Sequence, residues 1–280
     1  MQAFAAFVSA KENRFMQAMQ LIDKFDALCK EQDYHVVRSF KDVQTDKINA
    51  LLAVEEGGAI EGDLKKLETL YERGVRLMTL TWNYPNEIGY PNFPDCEGFK
   101  TGRISPYTRE KERGLTPCGK DAVEKMCQLG MLVDVSHGSD KLVDDVFEIC
   151  KSRGVPFVAS HSGAAAICPW ARNLEDKEIR LIAQSGGCIG LDFCADFTSS
   201  DASKTGQRTA LLAHARHIVN VGGEDVLAIG SDFDGIPQNA YLPDPSAVPN
   251  FLQELEKAFG SRITEKIAQK NALRVLETVL

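Results

Sequence analysis

Two short apolar segments that each end in histidine constrain the fold of this chain more than any other feature. They are residues 132–137, with the sequence LVDVSH, and residues 156–161, with the sequence PFVASH. Both are rich in apolar and β-branched residues, which is typical of buried strands. Between them, residues 140–153 place apolar side chains at the spacing of an amphipathic helix, and Gly154 follows as a C-terminal cap. The pattern therefore predicts one βαβ unit with two parallel strands.

The two predicted strands bring His137 and His161 to equivalent carboxyl ends. In α/β folds this edge of the sheet carries the chemistry. Two imidazoles from neighbouring strand ends are also suited to bind one metal ion. The alternative is that each histidine is simply hydrogen-bonded at the end of its strand. The repetition of the same pattern favours the metal pair.

Length, charge and cysteine usage limit the class of protein. A chain of 280 residues is typical of a single α/β barrel of about 250 residues. The net charge of −8 argues against a nucleic-acid partner. No apolar run approaches the roughly 20 residues that span a bilayer, and the start does not resemble a signal peptide. The eight cysteines form no CxxC pair, which favours a reduced, cytoplasmic protein without a membrane partner.

Strand and helix patterns alternate along the whole chain. Besides the two histidine segments, we predict strands at 3–9, 50–55, 75–82, 188–193 and 226–232. We predict further helices at 13–31, 64–73, 117–129, 176–184, 210–219, 248–259 and 264–278. An alternating chain of this size is best explained by a TIM-type (β/α)8 barrel, which needs eight strands. Only seven are counted, so we expect one barrel domain over 1–280 that lacks its first strand, with the deficit before Met1.

Residues 83–116 form the one long irregular region, rich in Pro, Gly and Asn. Loops of this length in a compact domain are usually lids or binding loops.

Side chains that are candidates for a functional site lie at or just after the predicted strand ends. These candidates are Glu55, Trp82 with Asn83, His137, His161, Asp192 and Asp232, with Arg172 in the loop after His161. A carboxylate and two imidazoles are donors that zinc takes in hydrolytic sites. A further carboxylate is suited to shuttle a proton, and an arginine to bind a substrate carboxylate.

Each of these signals also has a structural explanation when it is taken alone. Glu55 would then cap a helix, Arg172 would be a solvated surface residue, and Asp232 would end its strand in a turn. His214 and His217 lie on a predicted helix away from any strand end, so we expect surface or core-edge residues rather than ligands there.

Eight ordered segments resemble the membrane (renal-type) dipeptidase family of zinc peptidases. From about residue 51 to the end they read EEGGAIEGDL, GVRLMTLTWN, GLTPCGKDAV, GMLVDVSH, PFVASHS, WARN, GGCIGLDF and IGSDFDG. The resemblance implies a (β/α)8 barrel of the amidohydrolase superfamily with a binuclear zinc site. It also implies that the substrate is a small dipeptide.

The resemblance assigns roles to individual positions. Glu55 resembles the carboxylate that bridges the two zinc ions, and His137 and His161 resemble the two histidines of one zinc. Arg172, in the WARN segment, corresponds to the arginine that binds the free carboxylate of the substrate. Asp232 resembles the acid/base carboxylate, and Asn83 is a further candidate substrate-binding residue.

Two departures from the family pattern qualify this assignment. The family's first strand ends in His-x-Asp, which supplies the other zinc, and no histidine here is followed two residues later by aspartate. We therefore expect fewer than two metal ions. Trp82 stands where many members have a histidine that polarises the scissile carbonyl.

The leading hypothesis is a zinc-dependent dipeptidase in which Asp232 is the acid/base. The alternatives are a catalytically impaired or scaffold form of the same barrel, and a hydrolase of another small amide or lactone. The apolar edges at 3–9 and 226–232 favour association with another chain, including a homodimer.

Overall fold

The computed structural model describes all residues, 1–280. Its strands are β1 (Gln2–Phe7), β2 (His35–Val37), β3 (Asn49–Glu55), β4 (Val75–Thr79), β5 (Leu132–Asp134), β6 (Ala159–Ser162), β7 (Ile189–Leu191) and β8 (Leu227–Ile229). Its helices are α1 (Arg14–Glu31), α2 (Leu64–Glu72), α3 (Cys96–Lys100), α4 (Pro117–Leu129), α5 (Asp140–Arg153), α6 (Asp176–Gln184), α7 (Ala195–Thr198), α8 (Lys204–Gly222), α9 (Val248–Phe259), α10 (Ser261–Glu265) and α11 (Asn271–Val279). Short 3-10 turns lie at Phe40–Asp42, Gly57–Ile60 and Pro245–Ala247, and a π-helical turn at Lys266–Lys270 joins α10 to α11.

The chain divides into two compact units. The first comprises Met1–Cys96, Glu110–Pro156 and Leu276–Leu280, and the second comprises Glu97–Arg109 and Phe157–Val275. Every paired strand in either unit is parallel to its neighbour.

The first unit is built on a sheet with the order β1-β3-β4-β5, and β2 pairs with the beginning of β3. Six of the seven residues of β3 are buried, and only its last residue, Glu55, is partly exposed. A continuous apolar strand of this kind is typical of a parallel sheet covered on both faces. The register aligns Glu55 with Thr79, and Thr79 with Asp134. The carboxyl ends of these three strands therefore lie at one edge.

Two well-capped helices flank β5 in the sequence. Thr116 caps α4 by accepting a hydrogen bond from the Gly119 N–H, and Ser139 caps α5 in the same way from Leu142. Each helix ends at a left-handed glycine, Gly130 for α4 and Gly154 for α5. Gly154 was predicted as a cap, and both helices have the predicted bounds.

The second unit contains the sheet β6-β7-β8. Its strands approach closely because Gly190 of β7 and Gly230 have no side chains. A Cβ at Gly190 would lie 1.9 Å from the carbonyl oxygen of Ser160, and a Cβ at Gly230 would lie 2.0 Å from the same atom. The two glycines thereby allow the carbonyl oxygen of Ser160, the residue before His161, to lie close to β7 and to Gly230, which directly follows β8.

The predicted α/β architecture with parallel strands is confirmed, but the count of seven strands is wrong. The eighth strand, β2, has three residues within a polar stretch, too few to give a recognisable strand pattern. Strand pairing forms two sheets and does not close into a ring. The single-domain organisation over 1–280 stays a prediction. None of the helices combines the length and the hydropathy that a membrane span requires.

Several strands end before the residues that we predicted at their ends. β5 stops at Asp134 rather than at 137, and β8 stops at Ile229 rather than at 232. His137 and Asp232 follow with φ of 66° and 54°, in the left-handed region that side chains other than glycine rarely adopt. These two candidate site residues therefore lie in turns beyond the strands rather than in the ladders.

Candidate metal centre

Glu55 and His137 form the central pair of the candidate site. Glu55 is the last residue of β3, and His137 lies in the turn after β5. Their Oε1 and Nε2 atoms are 3.3 Å apart, and the side chains are 14% and 8% exposed. The contact is thus largely shielded from water, and it joins the ends of two strands that both belong to the first unit.

The orientation of the His137 ring is set by Asn83. Nδ1 of His137 lies 3.0 Å from Oδ1 of Asn83. Since a carboxamide oxygen only accepts hydrogen bonds, Nδ1 carries the proton that it donates. In the neutral ring Nε2 is then an unprotonated acceptor facing the Glu55 carboxylate. Two acceptors at this distance require a cation or a second proton between them, which fits a metal-ligand pair.

Glu56 holds the segment that carries Asn83. Its buried carboxylate accepts hydrogen bonds from the backbone N–H groups of Gly58 (2.8 Å) and Trp82 (2.9 Å) and from the Asn86 side chain. Burial raises the pKa of Glu56, and its φ of 93° places the residue in a strained conformation. Glu56 is a supporting residue that was not predicted from the sequence, although it directly follows Glu55.

Trp82 forms an aromatic wall beside His137. Its ring centroid lies 6.1 Å from the His137 ring and 5.0 Å from the ring of Phe7. An indole presents an apolar face at this position, where the resemblance to the family implies a histidine in many members. Asn83 has an orienting contact with His137, and its predicted contact with substrate stays a prediction.

His161 lies in β6 of the second unit and is also oriented through Nδ1, which is 2.8 Å from the Ser160 hydroxyl oxygen. Potential ligand atoms of Glu55, His137 and His161 all lie within 4.8 Å of one another. Ligands of one tetrahedral zinc at 2.0–2.2 Å are about 3.4 Å apart, so small side-chain adjustments suffice. Together these three residues are a candidate group for holding a metal ion, and their assignment as metal ligands stays a prediction.

The donor set fits a metal ion of borderline hardness. One carboxylate oxygen and two imidazole nitrogens match a three-ligand hydrolytic site, which leaves a coordination position open. Both imidazoles have a hydrogen-bonding partner on the other ring nitrogen, as metal-ligating histidines almost always do. The arrangement can therefore polarise a bound carbonyl or activate water once a metal is bound.

Arg172 is buried, which contradicts the alternative of a solvated surface residue. It is 3% exposed, and its Nη2 donates a hydrogen bond to the carbonyl oxygen of His161 at 3.2 Å. Its guanidinium lies 5.4 Å from the Phe197 ring centroid, and Nη2 is 3.8 Å from Oδ2 of Asp192. Nε is buried without a hydrogen-bond partner. A buried arginine with an unused donor is suited to bind an anionic group.

A hydrogen-bond network that sequence analysis missed holds the loop carrying Arg172. Asn173 accepts a hydrogen bond from the Gly163 N–H and donates to the carbonyls of Cys168 and Phe197. Arg109 donates to the carbonyl oxygen of Asn173 at 2.6 Å. The asparagine of the WARN segment was the available signal for this network.

His214 fixes the same loop from α8. Its Nδ1 accepts a hydrogen bond from the Ala164 N–H at 2.9 Å, and its Nε2 donates to the Thr198 carbonyl at 3.0 Å. Burial lowers the pKa of His214 to about 4. The residue is 1% exposed, so the expected surface or core-edge location is wrong. His217 contacts Asp176 at 2.6 Å. Neither of these two histidines belongs to the metal-site group.

Asp232 lies three residues beyond β8 and is partly exposed. Its carbonyl oxygen accepts a hydrogen bond from the Gly235 N–H at 3.1 Å, which closes a turn. The turn agrees with the structural explanation of this residue, and the acid/base role stays a prediction.

Comparison with known proteins gives consistent matches over nearly the whole chain. An uncharacterized protein in the pqqA 5′ region of Klebsiella pneumoniae is 34% identical over 244 residues, covering 84% of this chain and 83% of that protein. Dipeptidase 3 of Mus musculus is 30% identical over 274 residues, covering 94% of this chain. The match covers 51% of the mouse protein, so the chain spans about half the length of that relative.

The fold also matches a solved structure. A metallo peptidase from Rhodobacter sphaeroides, liganded with a phosphinate mimic of the dipeptide L-Ala-D-Ala, superposes with a TM-score of 0.85. The match has 25% sequence identity and covers 99% of this chain and 86% of that chain. The model of the family described as membrane dipeptidase, peptidase family M19, matches residues 1–280. The chain therefore belongs to the membrane dipeptidase family of metallopeptidases.

Proposed function

We propose that this chain is a zinc-dependent dipeptidase with one zinc ion held by Glu55, His137 and His161. The observation that carries the proposal is the grouping of one carboxylate and two oriented imidazoles within 4.8 Å. Zinc in such a site lowers the pKa of water to about 7 in favourable cases and polarises a carbonyl as a Lewis acid. The identity of the metal rests on the donor set, because carboxylate and imidazole together suit zinc.

Arg172 binds the C-terminal carboxylate of the substrate in this proposal. Its burial and its unpartnered Nε support the assignment, since a substrate carboxylate would satisfy a donor that the protein leaves unused. A guanidinium matches a carboxylate with two parallel hydrogen bonds. A fixed arginine near the reacting centre limits the distance from scissile bond to C-terminus, which favours dipeptides over longer peptides.

Asp232 is the proposed acid/base. It accepts a proton from the attacking water and returns it to the amine of the leaving amino acid, so that no net proton is gained or lost. Its partial exposure supports this role, because the carboxylate can exchange protons with solvent. Asn83 and Glu56 position His137 and the loop beside it, and Trp82 contributes an apolar wall rather than a hydrogen-bond donor to the carbonyl.

The similarity to named relatives supports dipeptides as the substrate class. The mouse relative is a dipeptidase by name, and the Rhodobacter sphaeroides protein is liganded with a mimic of L-Ala-D-Ala. L-Ala-L-Ala and L-Ala-D-Ala are therefore the first substrates to test. We also propose a reducing, cytoplasmic environment, which the eight free cysteines support. A homodimer through the partly exposed strand β1 is proposed as well.

A catalytically impaired form is the second candidate function. The observation in its favour is the absence of a His-x-Asp pair for the second metal of the family site.

The test of both candidate functions loads the purified chain with zinc. Bound zinc is measured by elemental analysis, and dipeptide hydrolysis is measured by release of free alanine. We expect zinc-dependent hydrolysis that is lost in His137→Ala together with zinc binding. Zinc binding without hydrolysis would support the impaired form, and unchanged zinc binding in His137→Ala would refute the site.

A further inference from the structure

Two thiols outside the metal centre lie against each other between neighbouring helices of the first unit. Cys127 of α4 and Cys150 of α5 have their Sγ atoms 3.9 Å apart. Cys150 is fully buried, whereas Cys127 is partly exposed. The pair therefore combines a partly exposed cysteine with a fully buried one.

The position of the pair follows from the helix patterns. The buried side of α5 runs through Leu142, Val143, Val146, Phe147 and Cys150 at helical spacing, so Cys150 lies on the face that packs inward. Cys127 follows the buried Met126 near the end of α4. An ion pair between Arg153 of α5 and Glu124 of α4 joins the same two helices one turn away. Both sulfurs thus lie near the C-terminal ends of adjacent helices that are already linked.

The hydrogen bond between the thiols gives them different chemical character. The contact with Cys150, with help from the nearby Arg153 charge, lowers the pKa of Cys127, although burial opposes the change. The contact with Cys127, together with burial, raises the pKa of Cys150. Because the thiolate is the reactive form, Cys127 is the sulfur prepared to react first.

We propose that Cys127 and Cys150 are a redox site in which a peroxide forms a reversible disulfide between α4 and α5. The Cys127 thiolate attacks one peroxide oxygen, the O–O bond breaks, and the released hydroxide takes a proton to become water. Cys127 is then a sulfenic acid. The Cys150 sulfur attacks the Cys127 sulfur, the S–S bond forms, and the S–O bond breaks to release a second water. Two thiols are oxidised and one peroxide is reduced, and a dithiol reductant reverses the bond.

Disulfide formation requires a modest movement of the two sulfur atoms toward each other. A disulfide bond is about 2.05 Å long, so the two sulfurs must approach by about 2 Å. Because Cys127 is partly exposed and Cys150 is buried, we expect the Cys127 side chain to make most of this movement. The bond would close a loop from Cys127 to Cys150 that contains β5 and His137. Constraining that loop in the unfolded chain is expected to raise the unfolding temperature by about 5 °C.

The experiment treats the zinc-loaded protein with a small excess of hydrogen peroxide, blocks remaining thiols with iodoacetamide, and maps the digest without reductant by mass spectrometry. We expect a Cys127–Cys150 linked peptide, a raised unfolding temperature, and return of both to the starting state with dithiothreitol. Cys118→Ser is the matched control, because Cys118 is also on α4 and partly exposed. It should respond like the unchanged protein.

Two further variants separate the roles of the sulfurs. Cys127→Ser should abolish both the linked peptide and the temperature shift. Cys150→Ala should leave a sulfenic acid on Cys127 that dimedone traps, since no second thiol can resolve it. The proposal is wrong if peroxide links a different pair or none, or if Cys127→Ser keeps the temperature shift. If dimedone labels other cysteines of Cys150→Ala but not Cys127, then Cys127 is not the thiol that reacts first with peroxide, and the proposed order is wrong.

Discussion

Oδ1 of Asn83 lies 3.0 Å from Nδ1 of His137 and fixes the tautomer that presents Nε2 to the Glu55 carboxylate. The contact spans 54 residues of sequence, so it depends on β4 and β5 being neighbours. It makes Asn83 part of the support for the metal site rather than an isolated loop residue.

Asn83→Ala is therefore expected to weaken zinc binding about 10- to 100-fold, as the loss of a partner of a metal-ligating histidine typically does. Competition with a chromogenic chelator measures the affinity. Asn220→Ala, at an exposed position of α8, is the matched control and should bind zinc unchanged. Equal affinities of the two variants would mean that Asn83 does not orient His137.

Arg172→Lys tests the proposed carboxylate site. Lysine keeps the charge but loses the fork, so KM for L-Ala-L-Ala should rise about 10- to 100-fold while kcat changes less. Arg180→Lys is the control, because Arg180 is an exposed arginine on α6. Initial rates over a range of substrate concentrations separate the two constants. An unchanged KM in a folded Arg172→Lys protein would remove Arg172 from the substrate site.

Much of the fold was predictable because its signals are local. The bounds of α5 follow from its apolar spacing and from Gly154, and β3 follows from an uninterrupted apolar run. β2 was missed because its three residues gain strand geometry from pairing with Asn49–Leu51, a partner that its own sequence does not reveal.

The grouping of the candidate metal ligands was predictable for a similar reason, since parallel strands bring their carboxyl ends together. What the sequence did not reveal is long-range. The contact of His214 with Ala164 joins residues 50 positions apart, and the left-handed conformations of His137 and Asp232 arise where the strands end early. Periodicity carries no information about either.

The stability of the protein should depend on pH through His214. Its pKa in the folded state is lowered to about 4 by burial, against 6.5 for an exposed histidine. Between these values the unfolded chain binds the extra proton, so stability is fully present above about pH 6.5 and falls as the pH drops towards 4. The loss should be about 3 kcal/mol. Urea unfolding at several pH values should show this dependence in the unchanged protein and a flatter curve in His214→Gln.

The number of zinc ions bound per chain tests whether the second metal site of the family is missing here. The chain has no His-x-Asp pair, so elemental analysis after zinc loading and desalting should give about one zinc per chain, with a second ion removed by mild chelation. Two tightly bound zinc ions would show that other side chains replace that pair.

Asn92 and Asn239 are both almost fully buried, at 2% and 1% exposure, but only Asn239 is satisfied. The Asn239 carboxamide donates to the Phe193 carbonyl and to Gln207, and accepts from the N–H groups of Tyr241 and Leu242. Neither the oxygen nor the nitrogen of the Asn92 side chain has a protein partner.

Replacing each asparagine by leucine should therefore have opposite effects. Asn92→Leu removes a buried polar group that has already lost its hydration, so the free energy of unfolding should rise by about 1–3 kcal/mol. Asn239→Leu leaves several groups without partners and should lower it by a similar amount or more. Urea unfolding of both variants gives the comparison. The backbone N–H of Asn92 donates to the His137 carbonyl at 2.7 Å. If Asn92→Leu instead lowers stability, or lowers dipeptide hydrolysis in a stable protein, the carboxamide binds water or substrate beside the metal centre.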